Sequence, residues 1–263
     1  MLRRLPVRWV APILTVGVWE ASVALFSVPP FILPAPSAIA NALVDGLVRP
    51  LMGAGAGFYP HIWVTFYQAL IGFAVGAGVG LLLGTLLSQS RILSEAFQGL
   101  IVAFQSVPKV ALAPLFVIWF GFGTASKIAM VSVLTFFPVF INSMVGFQSV
   151  EPERLELMRS LTADRWQTFR MVQLPSALPY IFAGLDMAAV FSIIGAVVGE
   201  FVGARQGLGV LLMQMNFAMN TRGVFAVVII LSVMGLLMYR AVQLARRRVV
   251  FWQQEDKDPL ASW

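Results

Sequence analysis

Six apolar stretches, each long enough to cross a lipid bilayer, limit the folds that this sequence can adopt. An α-helix rises about 1.5 Å per residue, so about 20 apolar residues span the hydrocarbon core. Lipid offers no hydrogen-bond partner to an open backbone, so each stretch is expected to be helical. We predict an all-α integral membrane protein with a single transmembrane domain over residues 1–263. The six predicted spans are about 9–28, 62–87, 95–120, 127–147, 178–202 and 223–245.

The composition excludes several classes of function. Charged residues make up only 11% of the chain, against roughly 25% in soluble domains. The net charge of +6 could suit nucleic acid, but the basic residues follow membrane sidedness, so we expect no nucleic-acid partner. Cysteine is absent and His61 is the only histidine, which excludes disulfides and metal sites that need several such ligands. No catalytic triad or paired carboxylates are recognisable, so an enzyme is not expected.

The first apolar stretch follows a basic head, as a secretory signal does. It is long enough to span and lacks a small-x-small cleavage site, so we interpret it as an uncleaved helix, with a cleaved signal as the alternative. Prolines and glycines between 29 and 61 exclude a further span there. A short helix is expected in this segment, beginning near Ser37 as its N-cap.

Lysine and arginine bias predicts the orientation. With the N-terminus in the cytoplasm, four basic residues fall outside and Lys109 lies within a span. The other thirteen fall inside, so both termini are predicted to be cytoplasmic. The outer residues are Arg49, Lys127, Arg205 and Arg222, and the inner ones are Arg3, Arg4, Arg8, Arg91, Arg154, Arg159, Arg165, Arg170, Arg240, Arg246, Arg247, Arg248 and Lys257.

The second span carries glycines at every fourth position, Gly72, Gly76, Gly80 and Gly84. This spacing places them along one stripe of a helix, where a neighbouring backbone can approach closely in lipid. Packing within the bundle is the favoured interpretation. Contact with a second copy of the chain is the alternative.

The third and fourth spans are interrupted by proline. Pro108 and Pro114 flank Lys109, and Pro138 lies one turn before Asn142. Proline removes a backbone donor, which membranes tolerate where neighbouring helices or a water-filled cavity satisfy the freed groups. These residues are therefore candidates for the lining of a cavity.

Four ionisable residues, Glu20, Lys109, Asp186 and Glu200, fall within predicted spans, where each is expensive in lipid and so a functional candidate. Lys109 is the strongest, because a cation between two bends would suit an anionic solute. It could instead pair with Asp186 or Glu200, or reach an interface. Asp186 could be part of a gate, an ion pair or an exposed rim. Glu200 is expected at a solvated outer rim.

The connection at 148–177 has helical features of its own. Pro152 next to Glu151 predicts a helix start, and Leu155, Met158 and Leu161 form an apolar ridge along the helix that follows. A second helix is predicted from Asp164 through a capping box, stopping before Leu174-Pro175. The two helices would lie across the cytoplasmic face.

The stretch ERLELMRSLTADRWQTFRMVQLP resembles the EAA loop of ABC importer permeases. Glu156 falls on the glutamate of that pattern, Leu157 and Met158 on its alanines, Thr162 on its glycine, and Val172, Leu174 and Pro175 on its closing Ile, Leu and Pro. A β-branched residue resists the left-handed conformation of a helix-ending glycine. We therefore expect the first helix to end without that cap at Thr162.

Further stretches resemble the permeases of nitrate, sulfonate, taurine and thiamine-precursor importers, and together the resemblance covers about residues 8 to 248. They are PAPSAI, SVPKVALAPLFVIWFGFG, FFPVFIN and GEFVGARQGLG. The resemblance implies a type I ABC importer permease fold, and a coupling helix that docks on an ATP-hydrolysing subunit. The implied contact set is Leu155, Glu156, Met158, Arg159, Leu161, Thr162 and Ala163, and the candidate pathway set is Pro108, Lys109, Pro114, Asn142 and Asp186.

The partners implied by this resemblance are ABC ATPase subunits, an extracytoplasmic solute-binding protein and a second permease copy, in the inner membrane. ATP and Mg²⁺ would bind to the ATPase, because none of Lys109, Lys127 and Lys257 lies in a P-loop pattern. No cofactor is expected in this chain. The connection at 148–177 could alternatively rest on lipid headgroups.

The first expectation for the cargo is a thiamine-precursor pyrimidine, followed by taurine, alkanesulfonate or nitrate. Two other classes of membrane protein are alternatives. A self-sufficient channel or secondary transporter would need no docking helix and should show discontinuous or inverted-repeat helices. A structural membrane scaffold would leave the proline-bearing spans unexplained.

Overall fold

The structure is a computed structural model that describes residues 7–252, apart from 54, 56 and most of 91–102, where only 92, 96 and 99 are described. Arg3, Arg4, Arg91 and Lys257, used above to predict the orientation, lie outside the described residues. Every regular element within the described part is helical. The fold class predicted from the apolar stretches, all-α, is confirmed there.

Ten α-helices make up most of the described chain. They are α1 Val7–Leu25, α2 Pro36–Leu43, α3 Tyr59–Ser88, α4 Ala113–Phe120, α5 Thr124–Gln148, α6 Pro152–Ser160, α7 Arg165–Thr168, α8 Leu174–Phe201, α9 Leu208–Phe217 and α10 Thr221–Val249. Wide π-helical turns follow α2 and α7, at Val44–Val48 and Phe169–Gln173. Tight 3₁₀ turns lie at Arg49–Met52 and Lys109–Leu112.

Four helices of the described chain are long and apolar enough to cross a membrane: α3, α5, the continuous run Arg165–Phe201, and α10. They correspond to the predicted spans 62–87, 127–147, 178–202 and 223–245. The bounds of α3, α5, α8 and α10 agree with these predictions to within about four residues. The shorter helix α1 occupies the first predicted span.

The third predicted span, 95–120, is not one continuous helix in its described part; most of 95–102 lies outside the described residues. Helical backbone at 103–106 ends before Pro108, whose backbone is extended at φ −68° and ψ 90°. The chain then passes through the turn Lys109–Leu112 into α4, where Pro114 lies in the first turn. Proline in a first turn removes no helical hydrogen bond, so only Pro108 interrupts the helix.

Helix α5 is the centre of the bundle, with α3 along one side and α8 along another. The predicted glycine stripe of α3 faces α5 throughout. Gly72 lies against Val131, and a Cβ added to Gly80 would lie 2.7 Å from the carbonyl oxygen of Phe136. The stripe therefore packs within the bundle, as predicted.

A second close contact joins α5 to α8. A Cβ on Gly184 would lie 2.8 Å from the carbonyl oxygen of Pro138, and one on Gly195 would lie 2.9 Å from Cα of Val131. These two glycines are eleven residues apart, close to three helical turns, so they share one face of α8. The sequence analysis did not predict the α5–α8 contact. The glycines of α8 do not recur at every fourth position, as the glycines of α3 do.

The two short helices of the connection begin as predicted. Helix α6 starts at Pro152, directly after Glu151. At α7, the backbone N–H of Gln167 donates to Oδ1 of Asp164 over 2.7 Å, and the backbone N–H of Asp164 donates to Oε1 of Gln167 over 2.9 Å. The predicted capping box is confirmed.

The end of α6 contradicts the prediction made for Thr162, which adopts the left-handed conformation with φ +55°. Two backbone hydrogen bonds close the end, from Thr162 N–H to the Arg159 carbonyl over 2.9 Å and from Ala163 N–H to the Met158 carbonyl over 3.0 Å. This pattern is the Schellman motif. The prediction was wrong because the two bonds hold the residue in a conformation that its own side chain disfavours.

Helix α7 does not stop before Leu174-Pro175, and this prediction was also wrong. The backbone continues through the π-turn Phe169–Gln173 directly into α8. A proline within a regular helix clashes with the carbonyl four residues earlier, and a wide turn at that place gives the ring room. The connection is thus rigidly continuous with the span that follows it.

The start of α2 also differs from its prediction. Helix α2 begins at Pro36 after Ala35, and Ser37 lies inside its first turn. The backbone N–H and the hydroxyl of Ser37 both donate to the carboxylate of Glu20, over 3.0 and 2.7 Å. Glu20, on α1, therefore supplies the cap that Ser37 was expected to provide, and the contact ties α1 to α2.

The α3–α5 contact predicts that alanine at Gly80 and alanine at Gly78 change the stability of the protein in opposite directions. Gly80→Ala places a methyl group against the Phe136 carbonyl, whereas a Cβ on Gly78 meets nothing within 4 Å. We expect Gly80→Ala to lower the free energy of unfolding by about 1–3 kcal/mol through overpacking. Gly78→Ala should raise it slightly, by up to about 1 kcal/mol, because alanine favours the helix. Thermal unfolding of both variants in lipid nanodiscs checks this, and equal shifts would contradict the packing.

Thr162 adopts the left-handed conformation at the end of α6, so we expect glycine at this position to stabilise the helix. Thr162→Gly should stabilise α6 by about 1 kcal/mol and slow amide exchange across the helix about fivefold. Ser160→Gly is the matched control, which adds glycine inside the same helix and should speed exchange. Hydrogen–deuterium exchange of peptides covering 152–163 measures both. Faster exchange in Thr162→Gly would contradict the geometry.

Candidate functional site

The connection between α5 and α8 presents an exposed apolar surface, here called the connector surface, made of Leu157, Leu161 and Trp166. These side chains are 59%, 65% and 66% exposed. Charged side chains of Glu156 and Arg159 are exposed beside them. Large apolar side chains exposed together at one end of a bundle, with charges around them, are typical of a protein–protein contact.

The predicted contact set is only partly at this surface. Glu156, Arg159, Leu161 and Thr162 are exposed, and Leu155 and Ala163 are half-buried. Met158 is buried, so the predicted ridge of Leu155, Met158 and Leu161 is divided between two faces of α6. Met158 is therefore not part of the connector surface. Leu157 and Trp166 were not predicted as contacts, although the four-residue spacing of Leu157 and Leu161 was a signal for a second ridge.

An aromatic stack joins the connector surface to the centre of the bundle. The ring of Trp166 stacks on Phe169 with centroids 5.8 Å apart, and Phe169 stacks on Phe147 with centroids 5.7 Å apart. Trp166 belongs to α7, Phe169 to the π-turn and Phe147 to α5. Phe147 also belongs to the buried cluster with Ala177 and Ile181 of α8. Force applied to Trp166 therefore acts on packed side chains of two spans.

A cavity of about 480 Å³ lies between the segment before α4 and helices α5 and α8. Its polar lining is supplied by Gln105, Lys109 and Asn142. The Lys109 ammonium group donates to the Gln105 carbonyl over 3.2 Å and lies 4.6 Å from the centroid of the Phe137 ring. Asn142 Nδ2 donates to the Pro138 carbonyl over 2.8 Å. The volume falls within the range of small-molecule sites.

The structure brings together only part of the predicted pathway set. Lys109 and Asn142 line the same cavity. Pro108 is exposed directly before Lys109, and Pro114 is exposed in the first turn of α4, outside the lining. Asp186 faces α10 instead, where Gln243 donates to it over 2.7 Å and Arg246 lies 3.7 Å away. The ion-pair interpretation of Asp186 is thus the one observed, and Lys109 pairs with neither carboxylate considered for it.

The prediction that Glu200 lies at a solvated rim is wrong. Its side chain is fully buried at the end of the bundle opposite the connector surface. Thr65 donates to Oε1 over 2.7 Å, and the backbone N–H of Gly209 donates to Oε2 over 2.6 Å. The hydroxyl of Thr65 in turn accepts from the backbone N–H of Leu208 over 2.8 Å. One carboxylate therefore joins α3 and α8 to the start of α9.

Two further polar residues surround this carboxylate, and the sequence alone did not single them out. Lys127, expected at the outer side, is 1% exposed, and its ammonium group donates to the Phe122 carbonyl over 2.8 Å. Nδ1 of His61 lies 2.9 Å from the carbonyl oxygen of Gly207. The signal available in the sequence was the glycine-rich run after Glu200, because Gly207 has φ +133° and a side chain there would collide with the carboxylate.

No three side chains of the types that ligate metals converge within the described residues. The buried groups Glu200 and Lys127 are bound by hydroxyl and backbone groups of the bundle. What the arrangement offers is a docking surface, a cavity and a rigid link between them.

Known proteins are similar to this chain in sequence. Residues 76–251 match the family described as binding-protein-dependent transport system inner membrane component. The formylaminopyrimidine transport permease protein ThiX of Halalkalibacterium halodurans is 34% identical over 91% of this chain and 92% of its own length. The riboflavin transport system permease protein RibX of Chloroflexus aurantiacus is 35% identical over 89% of this chain and 85% of its own.

A more distant relative is also a transport permease. The taurine transport system permease protein TauC of Escherichia coli is 27% identical over 90% of this chain and 86% of its own length. Among solved structures, an inward-facing form of the MetNI methionine ABC transporter has a TM-score of 0.58 at 22% identity, over 73% of this chain and 94% of the matched one. The fold is therefore that of ABC transporter permeases. The resemblance found in the sequence motifs is confirmed, and the chain belongs to the family of binding-protein-dependent ABC importer permeases, integral components of the inner membrane.

Proposed function

We propose that this chain is the membrane-spanning subunit of an ATP-driven importer, and that ATP and Mg²⁺ bind to a separate ATPase that docks on the connector surface. The observation that carries the proposal is the aromatic stack Trp166–Phe169–Phe147, which links the exposed surface to the central helix α5. A lipid-resting helix would need no such link. Family membership supports the same assignment.

The docking contact is proposed to use Leu157, Leu161 and Trp166, with Glu156 and Arg159 around them. Leu155, Met158, Thr162 and Ala163 complete the set implied by the sequence. Met158 is buried, and left-handed Thr162 closes the end of α6. Exposed apolar anchors surrounded by charges are the arrangement in which a few residues carry most of the binding energy.

The rest of the assembly is proposed from the family. A solute-binding protein delivers the cargo from outside, two identical permease copies enclose the route, and both termini face the cytoplasm. The bias of basic residues toward the connector end supports this orientation, because Arg154, Arg159, Arg246 and Arg248 all lie at that end. Docking of the ATPase at the same end then places nucleotide in the cytoplasm.

The cargo is proposed to be a small organic or anionic solute that passes the cavity of Lys109 and Asn142. A thiamine-precursor pyrimidine was the first expectation from the motifs, with sulfonates, taurine and nitrate next. The identities of 34% to the formylaminopyrimidine permease and 35% to the riboflavin permease do not separate the candidates. Pro108 gives the segment its bend, and Pro114 and Asp186 support the pathway from outside the cavity.

Transport by the reconstituted complex tests the function as a whole. Proteoliposomes carrying the chain with its ATPase, and with binding protein outside, should accumulate radiolabelled cargo only when ATP is enclosed. The panel is an aminopyrimidine, taurine, an alkanesulfonate and nitrate. Uphill uptake without the ATPase would contradict the proposal and favour a secondary transporter.

Substitution of the connector surface tests the docking site separately. The double variant Leu157→Asp with Leu161→Asp should weaken ATPase binding about tenfold to a hundredfold, because charges replace two exposed apolar anchors. The matched control is Leu51→Asp, since Leu51 is 74% exposed in the turn Arg49–Met52 at the opposite end of the bundle. Binding is measured with purified ATPase and the chain in nanodiscs. Equal affinities for the two variants would contradict docking at the connector surface.

A further inference from the structure

The cavity beside Lys109 has a lining whose chemistry points to one class of ligand. We propose that it is a binding site for an organic monoanion with an apolar or aromatic body, occupied as the solute crosses the membrane. The proposal rests on the proposed function, since it names the substrate class of the same pathway. It is carried by three properties of the lining: an unpaired cation, aromatic walls and a volume that accommodates an organic molecule.

The cation of the cavity has no carboxylate partner among the described residues. Lys109 makes no ion pair there, and its ammonium group uses one hydrogen bond, to the Gln105 carbonyl. An ammonium group has three donors, so two are left for a ligand. Asp186, which precedes the lining residue Met187 in the chain, is already bound by Gln243 and lies near Arg246. A bound anion would therefore supply the charge that the lining lacks.

The remaining walls are mainly apolar. Phe137 and Phe191 contribute rings, and Met187, Ile141 and Ile194 contribute aliphatic surface. The Lys109 ammonium group lies over the Phe137 ring, and this cation–π contact holds the charge against the aromatic wall. A ligand with its anionic group on Lys109 would lay its body along Phe137 and Phe191. Met187 can adapt to bodies of different shape, because its side chain is unbranched and flexible.

The volume and the apolar walls argue against an inorganic oxyanion such as nitrate. A space of about 480 Å³ is within the range of sites for organic molecules. In this lining an inorganic ion could bond only to Lys109 and to the side-chain amides of Gln105 and Asn142. An apolar body instead gains free energy from the walls, about 25 cal/mol per Å² of buried surface.

Asn142 supplies a second polar contact. Its Nδ2 group donates to the Pro138 carbonyl, and its Oδ1 can accept a hydrogen bond. A hydroxyl or amine on the ligand body would meet this oxygen. The site is therefore suited to a substituted aromatic or branched sulfonate or carboxylate.

The absence of cysteine from the chain allows a direct test in the full-length protein. Met187→Cys introduces a single thiol in the cavity wall. In nanodiscs, its reaction rates with an anionic sulfonatoethyl and a cationic trimethylammonioethyl thiosulfonate reagent report the local potential. We expect the ratio of anionic to cationic rates to fall about tenfold when Lys109→Met is added. Lys109→Arg should keep the ratio, and Arg240→Met is the control that removes one exposed positive charge elsewhere.

The ligand class is tested by protection of the same thiol. Benzenesulfonate should slow the modification by a neutral thiosulfonate reagent, and the protection should be lost with Lys109→Met and kept with Lys109→Arg. Nitrate and a neutral aminopyrimidine should protect at least about tenfold less well at equal concentration. Equal protection by nitrate would overturn the role of the apolar walls, and equal protection by the aminopyrimidine would overturn the role of the charge. No protection by any of the three probes would overturn the site itself.

This test needs neither ATPase nor binding protein, so its outcome is separate from that of the proposed function. If ATP-driven uptake is observed while benzenesulfonate gives no protection, the permease assignment stands and the ligand class is wrong. If protection depends on Lys109 but uptake proceeds without the ATPase, the cavity binds organic anions in a transporter of another class.

Discussion

The close approach of α3 and α8 to α5 is the contact on which the rest of this structure depends. In lipid no hydrophobic force drives helices together, so packing must provide the association energy. Gly80 and Gly184 let backbone carbonyls of α5 approach to distances that no Cβ would allow. Helix α5 also carries Thr135, whose hydroxyl is within 3.3 Å of the Gly72 carbonyl on α3. The three spans therefore form one unit, to which the shorter helices attach.

Helix α5 connects the three functional features of the chain. Its connector end carries Phe147, the inner member of the aromatic stack. Its middle carries Phe137 and Asn142 in the wall of the cavity, and its other end carries buried Lys127 near Glu200. A helix packed on two sides by close backbone contacts cannot bend independently of its neighbours. A displacement of the connector surface would therefore reach the cavity as a movement of the whole unit, in the manner of rigid-body switching.

The sequence predicted those features that follow from length, spacing and local hydrogen bonding. The spans of α3, α5, α8 and α10 follow from apolar length, and the capping box of Asp164 from a local pattern. Three other predictions failed, each for its own physical reason. Glu200 is satisfied by Thr65, which is 135 positions earlier in the chain, and no local pattern encodes that pairing. Met158 is buried, which its helical spacing with Leu155 and Leu161 did not indicate. Thr162 is left-handed because the helix end requires it, at an expense to its backbone of about 1 kcal/mol.

Glu200 indicates which movements the bundle favours. Its carboxylate accepts hydrogen bonds from Thr65 on α3 and from the first turn of α9, while it belongs to α8. Separating α3 from α8 at that end would remove the hydroxyl donor and leave a buried charge partly unsatisfied, which is strongly unfavourable. The glycine contacts along α5 resist the same separation over the rest of its length. Movements that keep α3, α5 and α8 together are thus favoured over movements that part them. The cavity lies between this unit and the segment around Lys109.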